Sequence, residues 1–361
     1  MSTQKPFFGV LALDGGGIRG IIPASVLVTL EKWAGGPLSQ TFDLIVGTST
    51  GGLISLGITH PGPNGDPAYS AQDVLGFYTN QDNDAQIFTP WVWDPFLPKG
   101  QPVPWEAALL NPKYTGSGVE QFLSDHFGQA KLSGALAPVA CVSYQVSGDF
   151  PQGIPAPYVF RSWAQPDFYT VDVGRATSAA PLYFPPHALT SVDGTFSGTF
   201  VDGGVCANDP ALVGYAEAAA LLASRGDDIE NYNVWVLSVG TGQATLTIDP
   251  GDGGIYGWLA NDGLPNVLLN GPAEITDTLA EALFQPADGL FYGRVQVPLQ
   301  GVVPATGQHY SCAPDLDNWT EDNIQQLLLA GQAAGGASLV ADTVRQLAGR
   351  VQATAPRVSA S

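Results

Sequence analysis

Apolar residues run together through FFGVLAL (Phe7 to Leu13), stop at the glycine-rich DGGGIRG of residues 14–20, and return in IIPASVLVTLEKW. A short apolar run bounded by turn residues predicts a buried strand, and the longer stretch after it a helix. The same order repeats at once. FDLIV (Phe42–Val46) predicts a second strand, GTSTGG (Gly47–Gly52) a turn, and LISLGIT a helix. Strand, turn and helix in alternation predict an α/β fold: a central, mainly parallel β-sheet flanked by helices in three layers. Further strands are expected over 137–146, 157–163, 198–202 and 233–240. Helices are expected over Pro210–Ser224 and Glu321–Leu347, the latter with apolar residues at roughly helical spacing.

Two stretches break the alternation. Residues 61–116 are rich in Pro, Gly, Asn and Asp and hold Phe88, Trp91, Trp93, Phe96 and Trp105, which predicts a long excursion with some helix. Residues 241–272 read as a Gly/Pro-rich loop. Such excursions serve as lids or binding loops, or are plain surface loops pinned by their aromatics. Neither divides the chain. Residues 1–350 read as a single domain and 351–361 as a flexible tail.

Charge narrows the partners. The formal net charge is −20 in a chain only 13% charged, because 13 Lys and Arg face 33 Asp and Glu. Scarce cations disfavour nucleic acid, whose affinity rests on them, and adhesion to strongly anionic membranes. Cys141, Cys206 and Cys312 show no CxxC and no metal-like spacing, which fits free thiols in a reducing compartment. Only Lys5 precedes the first apolar run and no small-residue cleavage site follows it, so no signal peptide is expected. No apolar stretch approaches the ~18 residues of a membrane helix. The expected setting is cytoplasmic, or peripheral to a membrane.

Three short motifs carry chemistry. GTSTGG contains G-x-S-x-G after a strand and before a helix, where a sharp turn exposes a serine, so Ser49 is a candidate nucleophile. In DGGGIRG, Gly15, Gly17 and Gly20 also satisfy G-x-G-x-x-G, but Asp43 is poorly placed to hold a ribose and no Gly-Lys-Ser/Thr follows. Glycine N–H groups opening a helix can instead hold an oxyanion, with Arg19 adding charge or bracing the loop. VDGG (Val201–Gly204) puts Asp202 at a strand end, although Asp-Gly is also a common turn dipeptide. A serine nucleophile usually takes a histidine base. Ser49–Asp202–His309 has the chain order of an α/β-hydrolase, yet neither His309 nor His60, His126 or His187 has anything else to recommend it.

Taken together, DGGGIRG, GTSTG and DGG, in that order, resemble the patatin-like phospholipases. FDLIVGTSTGGLI, RATSAAPLYFPPH (Arg175–His187) and VLSVGTG (Val236–Gly242) look similar as well, with weaker likeness through FYGRVQVPL and TEDNIQQLLLAG. The resemblance implies a patatin-like fold and a lipid acyl hydrolase of phospholipase A type, working through an acyl-enzyme. It implies a dyad in which Ser49 attacks and Asp202 takes its proton, with Gly15, Gly16, Gly17 and Arg19 forming the oxyanion hole. It further implies that the ATSAAP segment brings the serine and the aspartate together. No metal and no cofactor are expected. The partners expected are a lipid substrate and transient contact with a membrane or micelle surface. A general esterase of small soluble esters, a non-catalytic storage or binding protein of the same fold, and a nucleotide-binding α/β protein are the competing readings.

Overall fold

The computed structural model describes residues 5–91, 111–151, 153–244 and 263–336. Trp93, Phe96 and Trp105 of the excursion, residues 245–262 and the 351–361 tail lie outside them.

The first apolar run is strand β1 (Phe7–Leu13), as expected. Helix α1 (Ile21–Ala34) follows, then β2 (Leu44–Thr48) and α2 (Thr50–Thr59). Helices α3 (Ala71–Thr79) and α4 (Gln81–Ile87) form the described start of the excursion. Helix α5 (Ser117–Phe127) leads to β3 (Val139–Gly148) and β4 (Ala156–Arg161). Then come α6 (Thr170–Thr177), β5 (His187–Thr190), β6 (Ser197–Asp202), α7 (Ala211–Ser224) and β7 (Asn233–Val239). The described chain ends with α8 (Gly263–Leu283), β8 (Leu290–Val295), a hairpin of β9 (Gln300–Val302) and β10 (His309–Ser311), and α9 (Glu321–Gly335).

Eight strands form one mixed sheet in the order β5-β6-β3-β2-β1-β7-β8, with β4 also on β3. The pairs β2–β1, β1–β7, β7–β8 and β2–β3 are parallel, and those of β4, β5 and β6 antiparallel. Side chains alternate across a strand, so β1 feeds two cores. Leu11 and Leu13 pack with α1 and α9, whereas Phe8, Val10 and Ala12 pack with α7. Helices therefore cover both faces, which makes the fold three-layered. A third cluster joins Cys141 of β3 to Phe160, Phe168, Phe200 and α5.

One register decides the site. Ala140 of β3 pairs with Val46 of β2 and Arg161 of β4, and Ser143 pairs with Asp202 of β6 and Tyr158 of β4. With β4 along one edge of β3, β2 and β6 share the other edge, end to end. Thr48 faces Val142 and Asp202 faces Ser143. The C-terminal ends of the two strands thus run into each other.

The expected Gly/Pro loop is shorter at its end than the sequence suggests: helix α8 starts at Gly263 and continues through Pro272. A helix-interior proline costs about 3 kcal/mol. Burial of Ala273 and Ala280 on the same helix opposes that cost.

Candidate active site

Ser49 sits between β2 and α2 with φ 54 and ψ −124, a positive φ rare for a residue with a side chain. Such strain costs on the order of 1–3 kcal/mol and persists only where the surroundings enforce it. They do so here. The Ser49 N–H donates to Thr177 Oγ1 at 3.0 Å, and Thr177 Oγ1 donates to the Val142 carbonyl at 2.5 Å. A Cβ on Gly51 would come within 2.1 Å of the Leu13 carbonyl oxygen, so that position of the turn admits only glycine.

Asp202 reaches the same point from β6. Its N–H donates to the Ala179 carbonyl at 3.0 Å, so the ATSAAP segment touches both residues. The Ser49 hydroxyl lies near enough to the Asp202 carboxyl to favour its ionised form, and the Gly204 N–H donates to Asp202 Oδ1 at 2.7 Å. Asp202 is only 3% exposed. Burial pushes its carboxyl up to about 7, against the opposing pull of the nearby Ser49 hydroxyl and the Gly204 N–H.

The glycine loop is held from behind. Arg294 of β8 forks onto Asp14 at 2.7 and 2.6 Å and reaches Asp209 at 3.1 Å. Burial pushes both carboxyls up, and Arg294 pulls both back down. The Gly15 carbonyl accepts from Thr241 Oγ1 at 2.7 Å, and the Ile18 N–H donates to the Leu316 carbonyl at 2.9 Å.

Four loop residues were expected at an oxyanion hole, and two are placed otherwise. The Gly15 N–H is engaged by the Asn208 carbonyl at 3.1 Å. Arg19 is fully buried, and its N–H donates to the Gly16 carbonyl at 3.2 Å. Neither lines the cavity that Ser49 opens into, whereas Gly16 and Gly17 do. Among the described residues the N–H groups of Gly16 and Gly17 have no partner. Gly17 takes φ +58, and a Cβ there would meet the Leu316 carbonyl oxygen at 2.1 Å.

That cavity has a volume of about 250 Å³, with Ser49 and Asp202 in its wall. Its remaining surface is mostly apolar, from Leu53, Val119, Phe184 and Leu269 among others, with Thr50, Ser178 and Asp84 as polar exceptions. The excursion contributes Tyr78, Asp84, Ile87 and Phe88, so its described part lines the cavity instead of lying idle on the surface.

None of the four histidines lines this cavity. His60 and His126 pack among Tyr69, Phe77, Phe122 and Phe127, and burial lowers the pKa of both rings. His187 Nε2 lies 3.0 Å from Asp172, and His309 pairs with Val302 in the hairpin. The Ser49–Asp202–His309 alternative has no geometric support. All three cysteines are free thiols. Among the described residues no group of His, Cys, Asp and Glu could hold a metal, and no helix is long and apolar enough to cross a membrane.

Several supporting residues escape sequence reasoning. Thr177 and Thr241 fall within stretches quoted for their likeness, yet nothing local marks their hydroxyls. Arg294 sits in FYGRV, and Asn208 and Asp209 follow the DGG motif by a few residues.

Comparison with known proteins places the chain in a family. A family profile described as Patatin-like phospholipase matches residues 11–215. Patatin-like protein 4 of Arabidopsis thaliana is 33% identical over 265 residues, covering 67% of this chain and 62% of that protein. Patatin-like protein 1 of Oryza sativa subsp. indica is 31% identical over 354 residues, covering 90% and 80% respectively. The chain thus spans less than two thirds of the Arabidopsis relative's length. The solved structure of VipD from Legionella pneumophila overlays at a TM-score of 0.35 and 12% identity, over 95% of this chain and 67% of that one, too loosely to bear on the site. The profile takes in more than half of the 361 residues, including the glycine loop, the serine turn and the aspartate, and the chain belongs to the patatin-like phospholipase family.

Proposed function

We propose that the protein is a lipid acyl hydrolase in which Ser49 is the nucleophile and Asp202 the general base. The observation that carries this is the placing of a serine on a strained turn and a buried carboxyl together in the wall of one largely apolar cavity. In acylation Asp202 takes the Ser49 proton as the oxygen attacks the ester carbonyl. The N–H groups of Gly16 and Gly17 hold the resulting oxyanion, and one such donor is worth about 3 kcal/mol in the transition state. Asp202 then gives the proton to the leaving alcohol. Water repeats the cycle on the acyl-enzyme, which frees the fatty acid and returns the proton to Ser49.

The cavity suits a slim apolar acyl chain better than a charged ligand, since among the described residues no Lys, Arg or His lines it. Contact with a lipid surface finds support on α8. Ile275, Leu279 and Leu283 follow at intervals of four, hence on one helix face, and are 62%, 46% and 59% exposed. Leu269 of the same helix lines the cavity. Lipid profiling tests the reading: incubation with mixed membrane lipids should deplete specific acyl esters and release free fatty acid. An unchanged lipid profile would refute it.

A further inference from the structure

Asp84 of α4 lies where the Ser49 cavity adjoins a second, smaller one. Leu53, Tyr78, Asp84 and Ile87 line both, and Val74, Phe77, Phe122, Leu123 and Phe127 complete the smaller cavity, about 40 Å³ in volume. Asp84 is 2% exposed, and among the described residues its Oδ2 has no hydrogen-bond partner. The nearby Tyr78 hydroxyl cannot serve it. That hydroxyl is engaged with Thr50, at 2.6 Å from Oγ1 and 3.2 Å from the carbonyl oxygen. Among the described residues no Lys, Arg or His lines either cavity.

A buried polar atom without a partner is rare in native proteins and demands an explanation. Nothing in the proposed chemistry uses Asp84, since Asp202 already occupies the base position. Burial alone pushes its carboxyl up to about 7, with no ion pair to pull it back. In either protonation state the carboxyl accepts a hydrogen bond. A plain methylene chain beside it would leave it unsatisfied, whereas a hydroxyl donates to it and is modest to desolvate. An ammonium would have to shed far more water to enter the same apolar space.

We propose that Asp84 is a specificity residue that reads a hydroxyl on the ester substrate within the acyl cavity. This rests on the hydrolase reading above only for its turnover measurement. The hydroxyl has two sources, the acyl chain or the alcohol moiety, and Asp84 engages whichever reaches the junction of the cavities. A site built to bond a substrate hydroxyl discriminates strongly against the analogue lacking it.

The test uses medium-chain ester pairs and the full chain. One arm compares plain with hydroxylated acyl chains, the hydroxyl moved stepwise along the chain, on a common alcohol. The other arm compares a monoacylglycerol with the ethyl ester of the same acid. Each pair is measured twice: as kcat/KM on the wild type, and as binding to Ser49→Ala by calorimetry, which needs no turnover. In one arm the hydroxylated ester should win by about tenfold or more in both readouts, and Asp84→Leu should cut that ratio to within about threefold. Asp84→Ala repeats the measurement should the leucine variant fail to fold. Ratios within about threefold throughout both arms, or a preference that survives loss of the carboxyl, would overturn the proposal. Selective binding to Ser49→Ala with no ester turned over by the wild type would uphold Asp84 and overturn the hydrolase reading instead.

Discussion

Ser49 and Asp202 meet because β2 and β6 end against each other on one edge of β3, Thr48 opposite Val142 and Asp202 opposite Ser143. The approach of these two residues is therefore a property of sheet register, and no loop has to fold over to create it. A one-residue slip of β6 would turn Asp202 to the other face of the sheet. Thr177 and Ala179 fasten the junction through the backbones of both residues. A fluorophosphonate probe should accordingly add once, at Ser49, with no adduct on Ser49→Ala by intact mass. Labelling of a different serine would displace the assignment.

Asp202→Asn should cost several orders of magnitude in kcat while the fold persists, because the amide cannot accept the proton. Replacing His60, His126, His187 or His309 one at a time should leave kcat within about tenfold, or ~1.4 kcal/mol in barrier height. His187 demands a folding check, as its ring bonds Asp172. A folded histidine variant without turnover would return the reaction to a triad.

The burial of Asp202 sets the pH dependence. Its carboxyl titrates near 7 in the fold, and as a base it must be ionised, so kcat/KM should fall as pH drops through about 7. Stability runs the opposite way. In the unfolded chain the group ionises near 4, so the fold is favoured by it fully below that value and loses the benefit as pH rises through 7. Asp202→Asn should thus gain on the wild type between pH 5 and pH 8 by on the order of 2 kcal/mol in urea unfolding. A constant difference across that range would mean that Asp202 is not buried as described.

The exposed face of α8 should matter only where lipid is aggregated. Changing Ile275 and Leu279 to Glu removes two apolar side chains worth about 1.5–3 kcal/mol each when fully buried. Partition onto zwitterionic vesicles should drop at least about tenfold, while turnover of a dissolved ester stays near the wild-type rate. With a net charge of −20, encounter with anionic vesicles should be slower at low salt and recover as salt is added. Equal partition of the double variant would exclude this face as the docking surface.

Much of this was legible in the chain. FFGVLAL became β1 residue for residue, because an apolar run closed by glycines has few other ways to fold. Ser49 and Asp202 could be picked out because their turns need small neighbours, which leave a mark in sequence. The partner of the Gly15 N–H left none, since Asn208 stands 193 residues away and only the folded sheet brings it near. Helix α8 was hidden by Gly263, Pro265, Gly271 and Pro272, residues whose local preference runs against a helix. Strand β8 was hidden by Gly293 and Arg294, which interrupt its apolar run. Asp84 looked like any polar residue of a loop-rich stretch. Its significance lies in what surrounds it.

Arg294 is the hidden residue with the largest expected effect. It is the cation between two buried carboxylates, Asp14 at the start of the glycine loop and Asp209 beyond the DGG turn. Its Nη1 also donates to Ser238 Oγ at 2.6 Å, and Ser238 Oγ in turn donates to Asp209 at 3.0 Å. Truncating one partner of such a group strands the others in low dielectric, a loss of about 3–5 kcal/mol. Arg294→Met should therefore unfold at markedly lower urea concentration, most clearly at high pH, where the stranded carboxyls must ionise. Arg294→Lys keeps the charge but not the planar fork, so it should recover only part of the stability. Because Asp14 directly precedes the glycines, the lysine variant should also lose kcat more than affinity, read as slower fluorophosphonate labelling of a folded protein. Full stability and full labelling rate in Arg294→Met would show that the loop is held without this cluster.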